Sequence, residues 1–175
     1  LTKVGAGTLT LSGTNSYTGT TTVSAGTLAI GGSGTAGTGT IAVGANTLDI
    51  ISGATVANAV TLNGGTIANS AGAGTLSAGG VTLGGNSYAS STGAGLAITA
   101  AITDGAGSFG ITKTGSGTVV LSGANTYDGG TNINGGVLQS GAGGIGSTGM
   151  VTFGGGIFQH AQRLGLIGDG VARAG

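Results

Sequence analysis

The 175-residue chain has no cysteine, so no disulfide can staple it and its stability must come from packing and hydrogen bonds. The absence also suits a polypeptide that crosses an oxidising compartment unfolded, where a free thiol is a hazard. Proline is missing too. Proline is the usual companion of disorder, so its absence argues against reading the 44 glycines as structureless low complexity. Glutamate does not occur, and charge is scarce: Lys3, Lys113, Arg163 and Arg173 stand against Asp49, Asp104, Asp128 and Asp169, with a formal net charge of zero. Without a basic stripe, counterion-releasing contact with nucleic acid is excluded, and so is polybasic attraction to a membrane surface. No apolar run approaches the roughly 20 residues that a membrane helix needs. The opening LTKVGAGTL lacks the apolar core of a secretory signal. It reads as the middle of a repeat, so a chain trimmed by processing, or cut from a longer one, is expected.

What the sequence does contain is a seven-residue phrase that keeps returning. It reads VSAGTLA at Val23 to Ala29, VGANTLD at Val43 to Asp49, LNGGTIA at Leu62 to Ala68, LGGNSYA at Leu83 to Ala89, INGGVLQ at Ile133 to Gln139 and FGGGIFQ at Phe153 to Gln159. From Val23 to Leu83, and again from Ile133 to Phe153, the starts keep a nearly constant period of about 20 residues. A fixed period near this length marks a solenoid whose turns stack on one another. Each phrase reads as strand, tight corner, strand. The apolar residue on each side of the corner is expected to point inward, and Gly, Ala or Asn at the centre to supply a left-handed bend.

A longer unit overlies the short one. Residues 1–31 return at 111–141 with 15 of 31 positions identical, among them Lys3/Lys113, Gly7/Gly117, Asn15/Asn125, Tyr17/Tyr127 and Leu28/Leu138. Within it, Leu9 and Leu11 alternate with Thr8, Thr10 and Ser12, the period of a half-buried strand. Further strands are expected at 39–43, 47–50, 60–63, 66–69, 81–83 and 96–99. The Gly, Ala, Ser and Thr-rich stretches Gly31 to Gly39 and Ala71 to Gly80 read as loops leaving the coil. One coil by itself buries too few aliphatics to offset its own ordering, so neighbouring coils must supply the missing cover.

The phrases LTKVGAGTLTLSGTNSYTGTTTVSAGTLAIGG and ITKTGSGTVVLSGANTYDGGTNINGGVLQ closely resemble the autotransporter-associated β-strand repeat of Gram-negative passenger domains. They carry T-K-x-G-x-G-T, L-S-G-x-N-x-Y-x-G and G-x-L in order, over positions 1–32 and 111–139. The resemblance implies a right-handed parallel β-helix, secretion through an outer-membrane barrel and display at the cell surface. The fold expected is therefore all-β, a right-handed parallel β-helix (solenoid) over 1–157, with coils of about 20 residues. Residues 158–175 are expected to form an irregular coil or the start of a linker.

Chemistry is sparsely provided for. His160 is the sole histidine, with Asp169 following it and Ser147 upstream, but no nucleophile-elbow sequence surrounds any serine. Asp49, Asp104 and Asp128 lie far apart along the chain, which reads as isolation rather than as the close carboxylate pair that glycoside hydrolysis requires. The Asp-rich calcium nonapeptide is absent. Gly141 to Gly146 spells G-x-G-x-x-G, which a chain this rich in glycine produces by chance. Tyr17, Tyr88 and Tyr127 are expected at coil edges with their hydroxyls in solvent, sugar stacking being the sharper alternative. Threonines such as Thr20, Thr21 and Thr22 are expected to present hydroxyl ladders outward. Thr8/Thr10, Thr20/Thr22 and Thr38/Thr40 do not recur in every coil, which argues against an ice-matching array.

The sequence thus predicts no catalytic, cofactor or metal residues and no cofactor. It predicts an extracellular structural and adhesive rod at the bacterial surface. A β-helical enzyme acting on polysaccharide, or a glycan-binding module, is the alternative. Expected partners are further copies of the chain, end to end or side by side, matrix or host glycans, surface proteins, and an outer-membrane barrel for export.

Overall fold

A computed structural model of the chain describes residues 1–160 apart from Ala78 and Ala142. It is a parallel β-solenoid of about eight layers. The first sheet stacks Thr2–Lys3, Thr21–Val23, Ile41–Val43, Val60–Leu62, Val81–Leu83 and Ile102–Thr103. The second, eight strands deep, stacks Thr8–Leu11, Thr27–Gly31, Thr47–Ile51, Thr66–Asn69, Ser87–Ser91, Ile111–Thr114, Thr131–Ile133 and Val151–Phe153. The third begins two layers later with Ala54–Val56, then Ala73–Leu76, Gly95–Ile98, Thr118–Leu121, Val137–Ser140 and Ile157–His160. At strand spacing the stack is about 35 Å long.

Each strand sends alternate side chains inward, and the register lines them up from layer to layer. Leu9, Leu28, Leu48 and Ile67 form one column of the second sheet. Val23, Val43, Leu62 and Leu83 form another in the first, and Val56, Leu76, Ile98 and Leu121 a third. All of these except Leu9, in the first layer, are buried. Outside the strands, further backbone hydrogen bonds join each corner to the next, such as Thr47 N–H to Gly26 O at 3.2 Å and Thr66 N–H to Asn46 O at 2.9 Å. The core is thus an axial stack that no single layer contains.

The two long repeats do not occupy the same face. Thr2 stacks through Thr22, Ala42, Thr61 and Thr82 onto Thr103, five layers on. Its counterpart in the second repeat, Thr112, lies further along the chain, on the second sheet beside Tyr88. The second repeat is therefore turned by one face of the prism. Its strandless loop, residues 122–130, fills the place of the first sheet in the seventh layer, whereas residues 12–20 fill the place of the third sheet in the first layer.

Several corners depart from expectation. Gly26, Gly64 and Gly136 do take positive φ, at 70°, 78° and 60°. The Gly44–Asn46 and Gly84–Asn86 corners turn without any left-handed residue. In the former, Asn46 Nδ2 instead donates to the Val23 carbonyl at 3.0 Å and ties the corner to the layer before. The corner after Leu83 is one residue longer than its phrase implies, so Ala89 faces inward opposite Ile67 and Tyr88 faces out. Phe153, which follows Ile133 in register, remains exposed in the last described layer. Within the expected loop Ala71 to Gly80, Ala73–Leu76 is instead a strand with Leu76 in the core. Gly74 belongs there because a Cβ would collide with the Ile50 carbonyl oxygen. The expected irregular segment enters the last strand as far as His160, and its remainder, 161–175, lies outside the described residues.

Gly26 separates two demands on a corner. A Cβ there would collide with the Gly7 carbonyl, whereas at Gly5, φ 75°, nothing lies within 4 Å. Gly5→Ala should cost only the backbone strain, about 1–2 kcal/mol. Gly26→Ala should cost clearly more, read as a larger drop in the denaturant midpoint.

Candidate functional site

Because inward positions are committed to the core, recognition chemistry must sit on the outer faces. An open groove of about 880 Å³ runs along the corner between the first and second sheets. It runs across four layers, from Thr22 and Ser24 past Ala42, Asn46, Thr61 and Asn63 to Thr82 and Gly84. None of its lining residues is charged. Thr61 and Thr82 are exposed beside inward Leu62 and Leu83, so strand alternation turns their hydroxyls and methyls outward. Beyond the corner the second sheet carries its own outward rank, Thr8, Thr27, Thr47, Thr66, Tyr88 and Thr112 in register. Tyr88 is 44% exposed and stands in the same layer as Thr82.

The ranks correct one reading of the threonines. Thr22 is outward and half-buried, but Thr21 is fully buried, and its hydroxyl lies 2.9 Å from that of Tyr17. The pair repeats as Tyr127 and Thr131 at 2.7 Å. Tyr127 is 1% exposed, so its hydroxyl does not reach solvent as expected of a coil-edge tyrosine. Burial pushes its pKa up from the ordinary 10.0 to about 12, the Thr131 bond pulling the other way. Gly146, at φ 89°, lies against the ring where a side chain would intrude. Asn125 completes the loop: its Oδ1 accepts from Ile102 N–H at 2.9 Å and its Nδ2 donates to Gly144 O at 2.8 Å. The L-S-G-x-N-x-Y-x-G motif thus fastens a face that has no strand.

The two lysines of T-K-x-G are also internal, which sequence reasoning missed. Lys3 stacks in register with Val23, and Lys113 lies between Ala89 and Ile133. Lys113 is fully buried. Its ammonium donates to the carbonyls of Thr114, Gly115 and Gly135 at 2.7, 2.9 and 2.9 Å. Lys3 does the same toward Val4, Gly5 and Ala25. Each clamps the corner of its own layer to that of the next. Burial lowers the Lys113 ammonium below the ordinary lysine range. The signal was present in the shared spacing of Lys and corner glycines in the two units, at a position where strand alternation demands an inward side chain.

The carboxylates of Asp49 and Asp104 brace adjoining layers. Asp49 accepts from Ser70 N–H at 3.0 Å and from its hydroxyl at 2.5 Å. Asp104 and Asp128, expected to be isolated, are neighbours across adjacent layers: Asp104 Oδ2 accepts from Asp128 N–H at 3.1 Å and from Phe109 N–H at 3.2 Å. Burial pushes the Asp104 carboxyl up, but these hydrogen bonds outweigh it and hold the group below the ordinary range. His160 meets Ser140 rather than Ser147, Nδ1 to Oγ at 2.7 Å, while Ser147 donates to Thr126 O at 3.0 Å. Ser140 is buried in the inward column of the third sheet, and Asp169 lies outside the described residues. Gly141 to Gly146 runs in the loop of the eighth layer, with Gly144 N–H bonded to Gly141 O at 3.2 Å. Among the described residues, no three metal-ligating side chains cluster.

Lys113 and Tyr127 each carry a measurable consequence. Lys113→Met keeps the apolar stem but strands three half-buried carbonyls, and should lower stability by about 1–2 kcal/mol in chemical denaturation. The folded-state pKa of Tyr127 lies above the unfolded value. Its contribution is therefore intact below pH 10 and lost as pH rises toward 12, a swing of about 3 kcal/mol. Phenolate absorbance followed against pH should show one tyrosine ionising together with loss of ellipticity, a component missing in Tyr127→Phe.

Residues 1–30 and 111–139 match the passenger-associated-transport-repeat family, a repeat typical of autotransporter passenger domains. No curated protein and no solved structure matches the chain.

Proposed function

We propose that this chain, which carries the passenger-associated-transport-repeat twice, is a segment of an exported, surface-displayed rod whose work is mechanical and adhesive. The observation that carries the reading is that both repeats are layers of one uninterrupted stack whose outer faces are ranked with hydroxyls instead of charges. A stack in which successive strands pair along one axis resists bending and exposes few unpaired backbone groups to proteases. Each hydroxyl or amide on its surface binds weakly. Repetition from layer to layer supplies avidity through multivalency.

Export through an outer-membrane barrel belongs to the same reading, and the lack of cysteine favours it, since no misplaced disulfide can trap the chain in transit. Side-by-side self-association belongs to the same reading, supported by Ile157, which is exposed on the outward face of the third sheet in register with Val137.

Cells producing the full protein test this reading. An antibody against this segment should label intact, unpermeabilised cells while cytoplasmic markers stay unlabelled. Deleting residues 1–160 in frame should reduce adherence to matrix-coated surfaces or to sister cells. An epitope reached only after permeabilisation, or undiminished adherence on deletion, would contradict it.

A further inference from the structure

We propose that the groove between the first and second sheets binds an uncharged polysaccharide chain laid parallel to the solenoid axis. The proposal rests on the adhesive reading and names its partner. The groove's length comes first. Four layers at strand spacing extend about 15 Å, which suits a linear polymer rather than a compact ligand. Its chemistry comes second. Thr22, Thr61 and Thr82 repeat one outward hydroxyl and methyl in three layers, and Ser24, Asn46 and Asn63 line the same groove. A row of sugars presents the same alternation of hydroxyls and apolar C–H faces.

The lining also rules between polymers. No lining residue is charged, so a uronate or sulfated chain would be desolvated with no counter-charge to meet it. A peptide would have to join as a strand, the usual way an extended segment gains affinity from a sheet. The groove strands Thr21–Val23, Ile41–Val43, Val60–Leu62 and Val81–Leu83 are already paired on both sides, so no edge is free there. Tyr88 lies outside the groove lining, on the adjoining second sheet in the layer of Thr82, and offers an aromatic face on which a sugar ring can stack. It interrupts a rank of threonines between Thr66 and Thr112, and is exposed although both neighbours, Ser87 and Ala89, are buried.

Affinity electrophoresis of the purified chain in gels containing a neutral β-glucan, a mannan or a polyuronate tests the proposal, with Thr61→Val/Thr82→Val and Tyr88→Ala as separate variants. Valine keeps the strand preference of threonine and exchanges the hydroxyl for a methyl, and thermal melts establish that each variant is folded. Retardation by a neutral polymer, unchanged by added salt and weakened at least about tenfold in both variants, is the expected result. Retardation by none of the neutral polymers, by the polyuronate alone, or equally in parent and variants, would overturn it. Adherence of cells separates the two readings. If deletion of 1–160 abolishes adherence while full proteins carrying the variants still adhere as the parent does, the groove proposal falls and the adhesive rod stands.

Discussion

Everything in this molecule depends on axial register: the inward side chain of one layer must land on the inward side chain of the next. Leu28 on Leu48 on Ile67, and Val43 on Leu62 on Leu83, illustrate the rule. A slip of one residue would bring Thr47 or Thr61 inside and turn Leu48 or Leu62 out, because strand side chains alternate with period two. The layer-to-layer hydrogen bonds and the apolar cover therefore stand or fall together. Polar side chains enter the interior hydrogen-bonded, and several of them tie one layer to the next. Lys113 does so through Gly135, Asn125 through Gly144, and Asn69 through the Ile50 carbonyl at 2.8 Å. Among the described residues no buried side-chain polar atom lacks a partner.

That constraint explains how the chain dispenses with charge, proline and cysteine. Its acidic and basic side chains are few because the surface draws solubility from threonine, serine and asparagine. Two lysines, Lys3 and Lys113, are withdrawn from the surface altogether to bind carbonyls. Among the described residues, few charged side chains remain on the outer faces to fix a partner's orientation.

The stacking period was legible because aliphatics recur at fixed distance from small corner residues. The phrases around Val23, Val43 and Leu62 place their inward residues correctly from pattern alone. Less was legible where the signal depends on backbone approach. Ala73–Leu76 looks like loop because glycine and alanine fill positions where an adjoining carbonyl leaves no room, as at Gly74 against Ile50. Tyr88 was misplaced because one added residue in the corner after Leu83 inverts the faces downstream. The one-face rotation of the second repeat was hidden for a related reason: the offset from Thr2 to Thr112 does not divide into whole layers, and only the pairing of Thr2 through Thr103 reveals the remainder. The groove was not visible at all, since it joins Thr22, Thr61 and Thr82 from separate layers, and linear sequence gives no sign that they share a face.

Hydrogen exchange of backbone amides tests the central claim most directly, using two adjacent substitutions of the same chemistry. Thr61 is outward and exposed, and Leu62 is inward and 1% exposed. Leu62→Asp should strip protection from its own strand and from Ile41–Val43 and Val81–Leu83 above and below, whereas Thr61→Asp should leave all three protected. Equal loss in both variants, or loss confined to Val60–Leu62 in Leu62→Asp, would contradict an interior held by axial register.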